Sequence, residues 1–329
     1  MDFNNSSILI TGGAGFIGSN LVFYFQNKFP GANIVVFDTF RNGDKFENGN
    51  LKSFGHYNNL LGFKGDVICG DLINNEDLKI LDRYKFDFIF HHAAISDTRV
   101  YDQEMVMKTN INSFYYFLDK AKIDNAVLVY ASSGATYGSL VSPQTVGVEN
   151  PENPYGYSKY QMDQIAMRFL NENPEMVICG LRFFNVYGPG EFFKAKTSSM
   201  IIQLAFQILD GKNPRLFKGS EKILRDFVYI DDVIQSNILC STQKKSGVYN
   251  VGTGKPRSFV DIVQILQSEL NTSFDIDYFP NPYKGYQMHT QADISNTVNK
   301  LGYKPNFTLE DGIKNYMPYI LEMHKANII

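Results

Sequence analysis

The chain has 329 residues, 44% of them apolar and 20% charged, which suits a globular protein of one large α/β unit or two modest domains. Its formal net charge of −3 gives no reason to expect nucleic acid as a partner. The three cysteines, Cys69, Cys179 and Cys240, form no CxxC or Cys/His cluster, so we expect neither a disulfide framework nor a metal site.

The N-terminal segment is acidic and polar, without the basic, apolar pattern of a secretory signal. The sequence has no run of about 18 apolar residues, the length that crosses a bilayer. We therefore expect a cytoplasmic protein that has no membrane partner.

Strands and helices are predicted to alternate along the first half of the chain. Apolar strands are predicted at 7–11, 33–38, 67–72, 86–90, 126–133 and 176–186, and helices at 16–27 and 103–122. The alternation predicts an α/β fold with a doubly wound parallel Rossmann sheet, and the continuous apolar runs indicate strands covered on both faces. We predict an NADP-binding Rossmann domain at 1–189, partly rejoined by 230–260, and a smaller C-terminal α/β substrate domain at 190–329.

Three glycines follow the first predicted strand and open the first predicted helix. Gly12, Gly15 and Gly18 are spaced as GxxGxxG. Glycines at such places make the turn, let the backbone approach a pyrophosphate and let the helix pack closely on the sheet. Asp38 ends the next strand, 20 residues beyond Gly18, where an acid binds the adenine ribose in dinucleotide sites. The pattern predicts an NAD(P) site; the alternative is a strand–turn–helix joint with incidental glycines.

The residues after Asp38 bear on the choice between NAD and NADP. Asp38 alone favours NAD, whereas Arg41 and Lys45 are placed to neutralise a 2′-phosphate. The alternative is that both are solvated loop charges. Asp71 and Leu72 end the third strand, where they either reach the adenine edge or simply terminate the strand.

The catalytic prediction rests on Tyr155 and Lys159, which lie one helical turn apart on the same face. The lysine cation is expected to lower the pKa of the phenol, so that Tyr155 can take a proton from a sugar hydroxyl while a hydride leaves the same carbon. Ser133 ends a strand at the carboxyl edge of the sheet, and its hydroxyl is expected to bond Tyr155 and the reacting oxygen. The alternative for Ser133 is a strand-capping serine.

Several further segments carry a family resemblance through nearly the whole length of the chain. They are YASSGATYG (130–138), YGYSK (155–159), RFFNVYGP (182–189), RDFVYIDDV (225–233) and NVGTG (250–254). With the glycine loop, they resemble the extended short-chain dehydrogenase/reductase superfamily of sugar-nucleotide enzymes.

Other segments resemble one family within that superfamily, the ADP-L-glycero-D-manno-heptose 6-epimerases. These segments are DTFRNGDKF (38–46), YGPGEFFKAKTSSM (187–200), LFKGSEKILRDFVY (216–229) and KGYQMHTQAD (284–293). The resemblance implies an NADP-dependent homo-oligomer, often a pentamer, that epimerises C6 of an ADP-linked heptose for the lipopolysaccharide inner core. The chain departs from the family at Gly190, where an arginine is usual.

The resemblance implies roles for individual residues. Lys194 matches a second acid/base beside the catalytic pair; the alternatives are that Lys196 takes this role or that Lys194 is a surface lysine. The cofactor residues expected are Gly12, Gly15, Phe16, Ile17, Gly18, Asp38, Thr39, Arg41, Lys45, Asp71, Leu72, Ala93, Ala94, Asn110, Tyr155, Lys159 and Val186. The substrate residues expected are Ser96, Asn185, Lys196, Phe217, Lys218, Gly219, Ser220, Arg225 and Tyr286.

Two other functions compete with this reading. A 4,6-dehydratase is disfavoured because Gly134, Ala135 and Thr136 offer no acid after the strand serine, while a sugar-nucleotide 4-epimerase fits the general motifs. A non-catalytic NAD(P)-binding regulator would usually have lost Tyr155 or Lys159, and both are present.

Overall fold

The computed structural model describes residues 2–282 and 287–326, and a seven-stranded sheet lies at its centre. The strands are β1 (Ser7–Thr11), β2 (Asn33–Asp38), β3 (Asp66–Cys69), β4 (Phe88–His91), β5 (Val127–Ser133), β6 (Ile178–Phe183), β7 (Asn185–Tyr187), β8 (Arg215–Phe217), β9 (Leu224–Arg225), β10 (Phe227–Tyr229), β11 (Gly247–Val251), β12 (Arg257–Ser258) and β13 (Asp277–Phe279). The α-helices are α1 (Phe16–Lys28), α2 (Asn75–Lys79), α3 (Gln103–Met107), α4 (Ser113–Asp124), α5 (Pro154–Glu172), α6 (Met200–Leu209), α7 (Ile230–Gln243), α8 (Phe259–Leu270), α9 (Ser295–Leu301) and α10 (Leu309–Ala326).

The central sheet is parallel throughout and confirms the predicted doubly wound α/β fold. Its strand order is β3-β2-β1-β4-β5-β6-β11. The order reverses between β1 and β4, and in such sheets the crevice at the carboxyl ends of the strands beside that reversal is where ligands bind.

Alternate side chains of the central strands enter two separate hydrophobic clusters. Ile8 and Ile10 of β1 pack on the side of α1 and the C-terminal helices, whereas Leu9 packs on the side of α4 and α5. Val36 and Val35 of β2 divide in the same way. Both faces are therefore covered, which is why these strands read as uninterrupted apolar runs.

Two predicted elements are interrupted in the structure. The run 176–186 forms β6 and β7 rather than one strand, because the amide of Phe184 bonds to Val251 while that of Asn185 bonds to Asp226. The chain thus leaves the central sheet and pairs with β10. The predicted helix 103–122 is α3 and α4 joined by a π-helical turn at Lys108–Asn112.

The C-terminal half adds smaller sheets and then returns to the central one. Two-stranded sheets pair β7 with β10, β8 with β13, and β9 with β12. The helix α7 packs on β5 and β6, and β11 forms an edge of the seven-stranded sheet. The domain boundary at residue 189 stays a prediction. Among the described helices, none has the length and apolar character needed to cross a bilayer.

A buried ion pair attaches α5 to the strands beside it. Arg182 of β6 lies 2.8 Å from the Asp163 carboxylate of α5, and both side chains are almost fully buried. Tyr130 and Ser132 of β5 also donate to Asp163, at 2.8 and 3.0 Å, and Glu149 gives Arg182 a second carboxylate at 2.5 Å. Since α5 carries Tyr155 and Lys159, this network sets the position of the predicted catalytic pair.

Replacing Asp163 by asparagine should destabilise the protein, because Arg182 keeps only one of its two buried carboxylate partners. We expect Asp163→Asn to lower the free energy of unfolding by about 3 kcal/mol, the low end for a buried pair that is broken. Urea unfolding followed by circular dichroism measures the change. Asp119→Asn, at an exposed site on α4, is the matched control and should change stability by less than about 0.5 kcal/mol. Equal effects of the two variants would contradict the role of the pair.

Candidate active site

The glycine loop joins β1 to α1 in a geometry that larger residues would disrupt. Gly12 has φ +70°, and a Cβ there would lie 2.8 Å from the amide nitrogen of Ala93. A Cβ on Gly18 would lie 2.2 Å from the carbonyl oxygen of Gly12. Gly15 caps α1 without a side-chain hydrogen bond, and no acidic residue lies in the first turn. The first-turn amides and the positive end of the helix dipole are therefore available to a phosphate.

A cleft of about 780 Å³ opens at the carboxyl ends of the central strands, and the glycine loop forms one wall. This volume is within the usual range for ligand sites. The predicted residues that line the cleft are Gly12, Gly15, Phe16, Ile17, Gly18, Asp38, Thr39, Asp71, Leu72, Ala93, Ala94, Ser96, Ser133, Tyr155, Lys159, Asn185, Val186, Lys194 and Arg225. The structure thus brings most of the predicted cofactor residues and all four predicted catalytic residues to one place.

Asp38 lies at the end of β2, but its carboxylate is already engaged. It accepts hydrogen bonds from the amides of Ala14 at 3.0 Å and Phe40 at 2.9 Å. Burial raises the pKa of Asp38, and these two hydrogen bonds oppose the rise. Both carboxylate oxygens therefore stabilise the turn after β1 and the start of the next loop, besides facing the cleft.

The two basic residues predicted at a 2′-phosphate do not line the cleft. The guanidinium of Arg41 donates to the carbonyl of Phe193 instead. Lys45 is exposed and pairs with Leu51 in an isolated β-bridge. The assignment of both as direct phosphate contacts stays a prediction, since neither lines the cleft in this structure.

A different lysine of the same loop lines the cleft, and sequence reasoning missed it. Lys52 follows the β-bridge of Lys45 with Leu51, and its amide bonds to the carbonyl of Asp44. The bridge folds the loop back on itself, so that Lys52 rather than Lys45 lines the cleft. No motif marks Lys52, because the fold of the loop decides which lysine lines the cleft.

The start of α5 explains how Tyr155 reaches the cleft. Asn153 caps the helix by accepting a hydrogen bond from Gly156 at 2.8 Å, and Pro154 occupies the first helical position. Tyr155 is thereby held in the first turn, where it hydrogen-bonds Ser133 at the end of β5. This is the predicted serine–tyrosine contact.

The predicted lowering of the Tyr155 pKa by Lys159 is not found in the chain alone. The ammonium of Lys159 lies 5.9 Å from the centre of the Tyr155 ring. Burial raises the pKa of Tyr155, and the bond to Ser133 opposes the rise. Burial lowers the pKa of Lys159 to about 8, opposed by the charge of Asp163. Burial is therefore the largest influence on the pKa of both groups, and the predicted lowering of the Tyr155 pKa by the lysine is not borne out in the chain without a ligand.

Lys194 and Lys196, which compete for the role of second acid/base, lie in different places. Lys194 lines the cleft, with its ammonium 5.7 Å from the ring centre of Phe16. Lys196 is exposed and borders a smaller side pocket of about 270 Å³, which Lys194 also borders. Between them, Ala195 has φ +51°, which breaks the 3-10 turn at Glu191–Thr197. Lys194 therefore lines the same cleft as Tyr155, and Lys196 does not belong to that lining.

Gly190, which replaces the family's arginine, occupies a backbone conformation that suits glycine. Its φ is +94°, and it precedes the 3-10 turn that carries Lys194. Its carbonyl accepts a hydrogen bond from Asn59 at 3.3 Å. The departure from the family pattern thus accompanies a left-handed turn at the start of the Lys194 loop.

Some predicted residues are not brought to the cleft. Asn110 is buried, where its amide nitrogen donates to Ile95 and Ser158 and its oxygen accepts from Ile95. Its polar atoms therefore fix the loop after β4 to α5 rather than meet a ligand. Four residues of the β8 region also lie outside the cleft lining: Phe217, Lys218, Gly219 and Ser220. Tyr286 lies outside the described residues.

The cleft also contains titratable residues that the sequence did not single out. Asp97 is buried and lines both the cleft and the side pocket. His92 lines the cleft and bonds Asn237 through Nε2 at 3.0 Å. Burial lowers its pKa to about 4, so the imidazole stays neutral near pH 7. Neither residue belongs to a recognisable motif, and only the fold places them here.

Comparisons with known proteins agree with this geometry. Residues 8–252 match the model of the NAD dependent epimerase/dehydratase family. The chain is 38% identical over 321 residues to an ADP-L-glycero-D-manno-heptose-6-epimerase of Brachyspira hyodysenteriae, with 94% of this chain and 96% of that protein covered.

Solved structures with the same architecture include two epimerases. The Helicobacter pylori ADP-L-glycero-D-manno-heptose-6-epimerase is 48% identical and covers 97% of each chain at a TM-score of 0.88. The Thermotoga maritima UDP-glucose 4-epimerase, solved with UDP-glucose, is 26% identical and covers 96% of this chain and 99% of its own at a TM-score of 0.85.

Adding a methyl group to Gly18 should damage the dinucleotide site, because α1 must move away from the Gly12 carbonyl. We expect Gly18→Ala to cost about 1–3 kcal/mol of stability, as overpacking does, and to weaken nicotinamide dinucleotide binding in calorimetric titration. Gly31→Ala is the control, since its Cβ would meet only the movable side chain of Asn4, at 3.2 Å. Unchanged dinucleotide affinity in Gly18→Ala would contradict the assignment of the loop.

Proposed function

The chain belongs to the NAD dependent epimerase/dehydratase family, and from this premise we propose that it inverts C6 of an ADP-linked heptose. The reaction converts ADP-D-glycero- to ADP-L-glycero-β-D-manno-heptose through a transient ketone. The proposal includes a place in lipopolysaccharide core synthesis, a cytoplasmic location and a homo-oligomeric state, all of which come from the resemblance.

One observation carries the proposal. Two proton carriers of different origin, Tyr155 of α5 and Lys194 of the loop after β7, line the same cleft as the glycine loop. Epimerisation by oxidation and reduction removes a hydroxyl proton from one stereoisomer and returns a proton to the oxygen of the other. Two carriers that approach the substrate from different elements suit that requirement better than one.

The residues of the cleft divide the chemical work. A nicotinamide dinucleotide held by the glycine loop would supply the hydride acceptor and donor. Tyr155 and Lys194 exchange protons with the C6 oxygen, one acting as base while the other later acts as acid. Ser133 hydrogen-bonds Tyr155 and can also donate to the reacting oxygen. Lys159 contributes a cation beneath the tyrosine ring, and the ketone must turn within the cleft between the two hydride transfers.

The choice of a heptose rests on relatives. The Brachyspira and Helicobacter proteins are named for this substrate, and the matches span nearly the whole chain. Ser96, Asn185 and Arg225 line the cleft and are proposed substrate contacts. The same role is proposed for a second set by resemblance alone: Lys196, Phe217, Lys218, Gly219, Ser220 and Tyr286.

A sugar-nucleotide 4-epimerase is the second candidate, favoured by the similarity to the Thermotoga UDP-glucose 4-epimerase. A paired assay separates the two. We expect the pure protein to change the C6 configuration of ADP-D-glycero-β-D-manno-heptose, followed by NMR, and to leave UDP-galactose unchanged. Conversion of UDP-galactose alone would favour the 4-epimerase. Tightly bound cofactor without turnover of either would favour a non-catalytic binding protein.

The two lysines of the loop after β7 should differ sharply. We expect Lys194→Met to reduce kcat at least about a hundredfold, the usual contribution of a positioned acid or base, with dinucleotide binding retained. Lys196→Met is the matched control, because this lysine borders only the side pocket, and its kcat should fall far less. Stopped assays with NMR detection measure both. An essential Lys196 with a dispensable Lys194 would reverse the assignment.

We also infer that NADP is preferred over NAD, with Lys52 as the residue that receives the 2′-phosphate. Lys52 lines the cleft beside the end of β2, and both oxygens of Asp38 already accept backbone hydrogen bonds. Asp38 is therefore less available to a ribose hydroxyl than an unengaged carboxylate would be. The family description and two neighbouring structures name NAD, which supports a nicotinamide cofactor, and the preference for NADP is our proposal.

Removing the Lys52 ammonium should weaken NADP more than NAD. We expect Lys52→Ala to cost roughly 1–3 kcal/mol in NADP binding, as for hydrogen bonds to charged groups, with NAD binding nearly unchanged. Lys45→Ala removes the same charge from the same loop outside the cleft and should leave the preference intact. Calorimetric titration of both dinucleotides decides the question, and equal losses in the two variants would contradict the inference.

A further inference from the structure

Glu191 is a fully buried carboxylate in the loop that carries Lys194. Its Oε1 accepts hydrogen bonds from the amide of Gly188 at 3.3 Å and from the hydroxyl of Ser199 at 2.7 Å, and its Oε2 accepts from the amide of Ser199 at 2.6 Å. All three partners donate, so the bonding favours the ionised carboxylate. Burial raises the pKa of Glu191, and the positive charge of Lys194 and these hydrogen bonds oppose that rise.

These bonds close the segment 188–199 on itself, because Gly188 lies at its beginning and Ser199 at its end. Lys194 lies between those ends. The Glu191 carboxylate therefore holds the two ends of the loop together. Lys194 is the residue between those ends that we propose as the second acid/base.

The rest of the loop is held from the dinucleotide side of the cleft. Asn20 of α1 donates to Pro189 at 2.9 Å, Asn59 donates to Gly190, and Arg41 donates to Phe193. Every one of these bonds goes to a main-chain carbonyl of the loop. Its path is therefore set by contacts that do not depend on a ligand.

Backbone strain beside Lys194 also indicates that surrounding contacts fix the path of this loop. Ala195 has φ +51° and ψ −124°, a conformation that is unfavourable for a residue with a Cβ. Such strain persists only where surrounding contacts determine the chain path, and it concentrates at functional positions. The strained residue, Ala195, comes directly after Lys194. The contacts that hold the loop in this path therefore also influence the direction of the lysine side chain.

The charges around Lys194 come from several elements. Burial lowers the pKa of Lys194, and the carboxylates of Glu191 and Asp97 oppose that effect. Within residues 2–282 and 287–326, the titratable groups near this loop include Arg99 and Lys196 at the side pocket, Arg41 and His56 against Phe193, Tyr229 against Gly188, and Tyr316 and Tyr319 of α10 beside Glu191. Of these two carboxylates, Glu191 has the larger effect on the pKa of Lys194.

We propose that Glu191 is a positioning residue for Lys194: its carboxylate closes the 188–199 loop that carries the lysine and supplies that loop with a buried negative charge. The inference rests on the proposed role of Lys194 as second acid/base. It adds a residue that touches neither substrate nor cofactor and acts through the geometry and charge of that lysine.

The test titrates Lys194 directly, apart from turnover. In a Lys196→Met background, the rate of acetylation of Lys194 by acetic anhydride is followed against pH by mass spectrometry. We expect Glu191→Gln, which keeps the size of the side chain and can still bond Ser199, to move the labelling midpoint to lower pH by about one unit or more, as for loss of a neighbouring opposite charge. Its kcat should fall at least tenfold with KM nearly unchanged.

Two controls separate charge from geometry. Glu322→Gln removes an exposed carboxylate from α10 and should leave both the midpoint and kcat unchanged. Glu191→Asp keeps the charge but shortens the reach, so it should lower kcat while shifting the midpoint less than glutamine does. If Glu191→Gln does not fold, the kcat of Glu191→Asp still tests the positioning role.

The outcomes distinguish the inference from the function on which it rests. A folded Glu191→Gln with the wild-type midpoint, or Glu191→Asp with wild-type kcat, would overturn the positioning role. If Lys194→Met retains full activity, the second acid/base assignment fails, whereas a shifted midpoint in Glu191→Gln would still establish that Glu191 acts on the charge of Lys194.

Discussion

The buried pair of Asp163 and Arg182 is the interaction on which the arrangement of the site depends. Tyr155, Lys159 and Asp163 follow one another at intervals of one helical turn on the same face of α5. Asp163 ties that face to Arg182 of β6 and to β5, at whose end Ser133 lies. The same carboxylate opposes the loss of charge on Lys159. One ion pair thus fixes the helix, the serine–tyrosine contact and the lysine charge together.

The fold could be predicted where local signals are continuous. The strand at 7–11 has the apolar run Ile8–Ile10, and glycines and a helix follow it, so its place in a parallel sheet follows from the pattern. The run 176–186 has the same composition, yet it splits at Phe184 because the amide there bonds to Val251 of a strand far along the chain. Composition does not record such a distant partner, and the break could not be predicted.

The residues of the site also fall into two groups, those that the sequence could predict and those that it could not. Tyr155, Lys159 and the glycines occur in motifs whose spacing encodes their geometry, and the structure places them in one cleft. The choice of Lys52 over Lys45 depends on a β-bridge within an irregular loop. Glu191 lies in a segment that carries the resemblance, but no spacing indicates its role, because that role comes from the two ends of a loop that meet at its carboxylate. Residues whose roles arise from loop closure therefore escape sequence reasoning.

The central claim is that a hydride leaves C6 and returns to its opposite face within one cleft, between Tyr155 and Lys194. Substrate carrying deuterium at C6 tests it most directly, with the product examined by NMR and mass spectrometry after turnover in ordinary water. The account predicts inverted C6 with the deuterium retained, because the hydride never exchanges with solvent. Product in which solvent hydrogen replaces the deuterium would contradict the account, since it would indicate removal and return of a C6 proton instead.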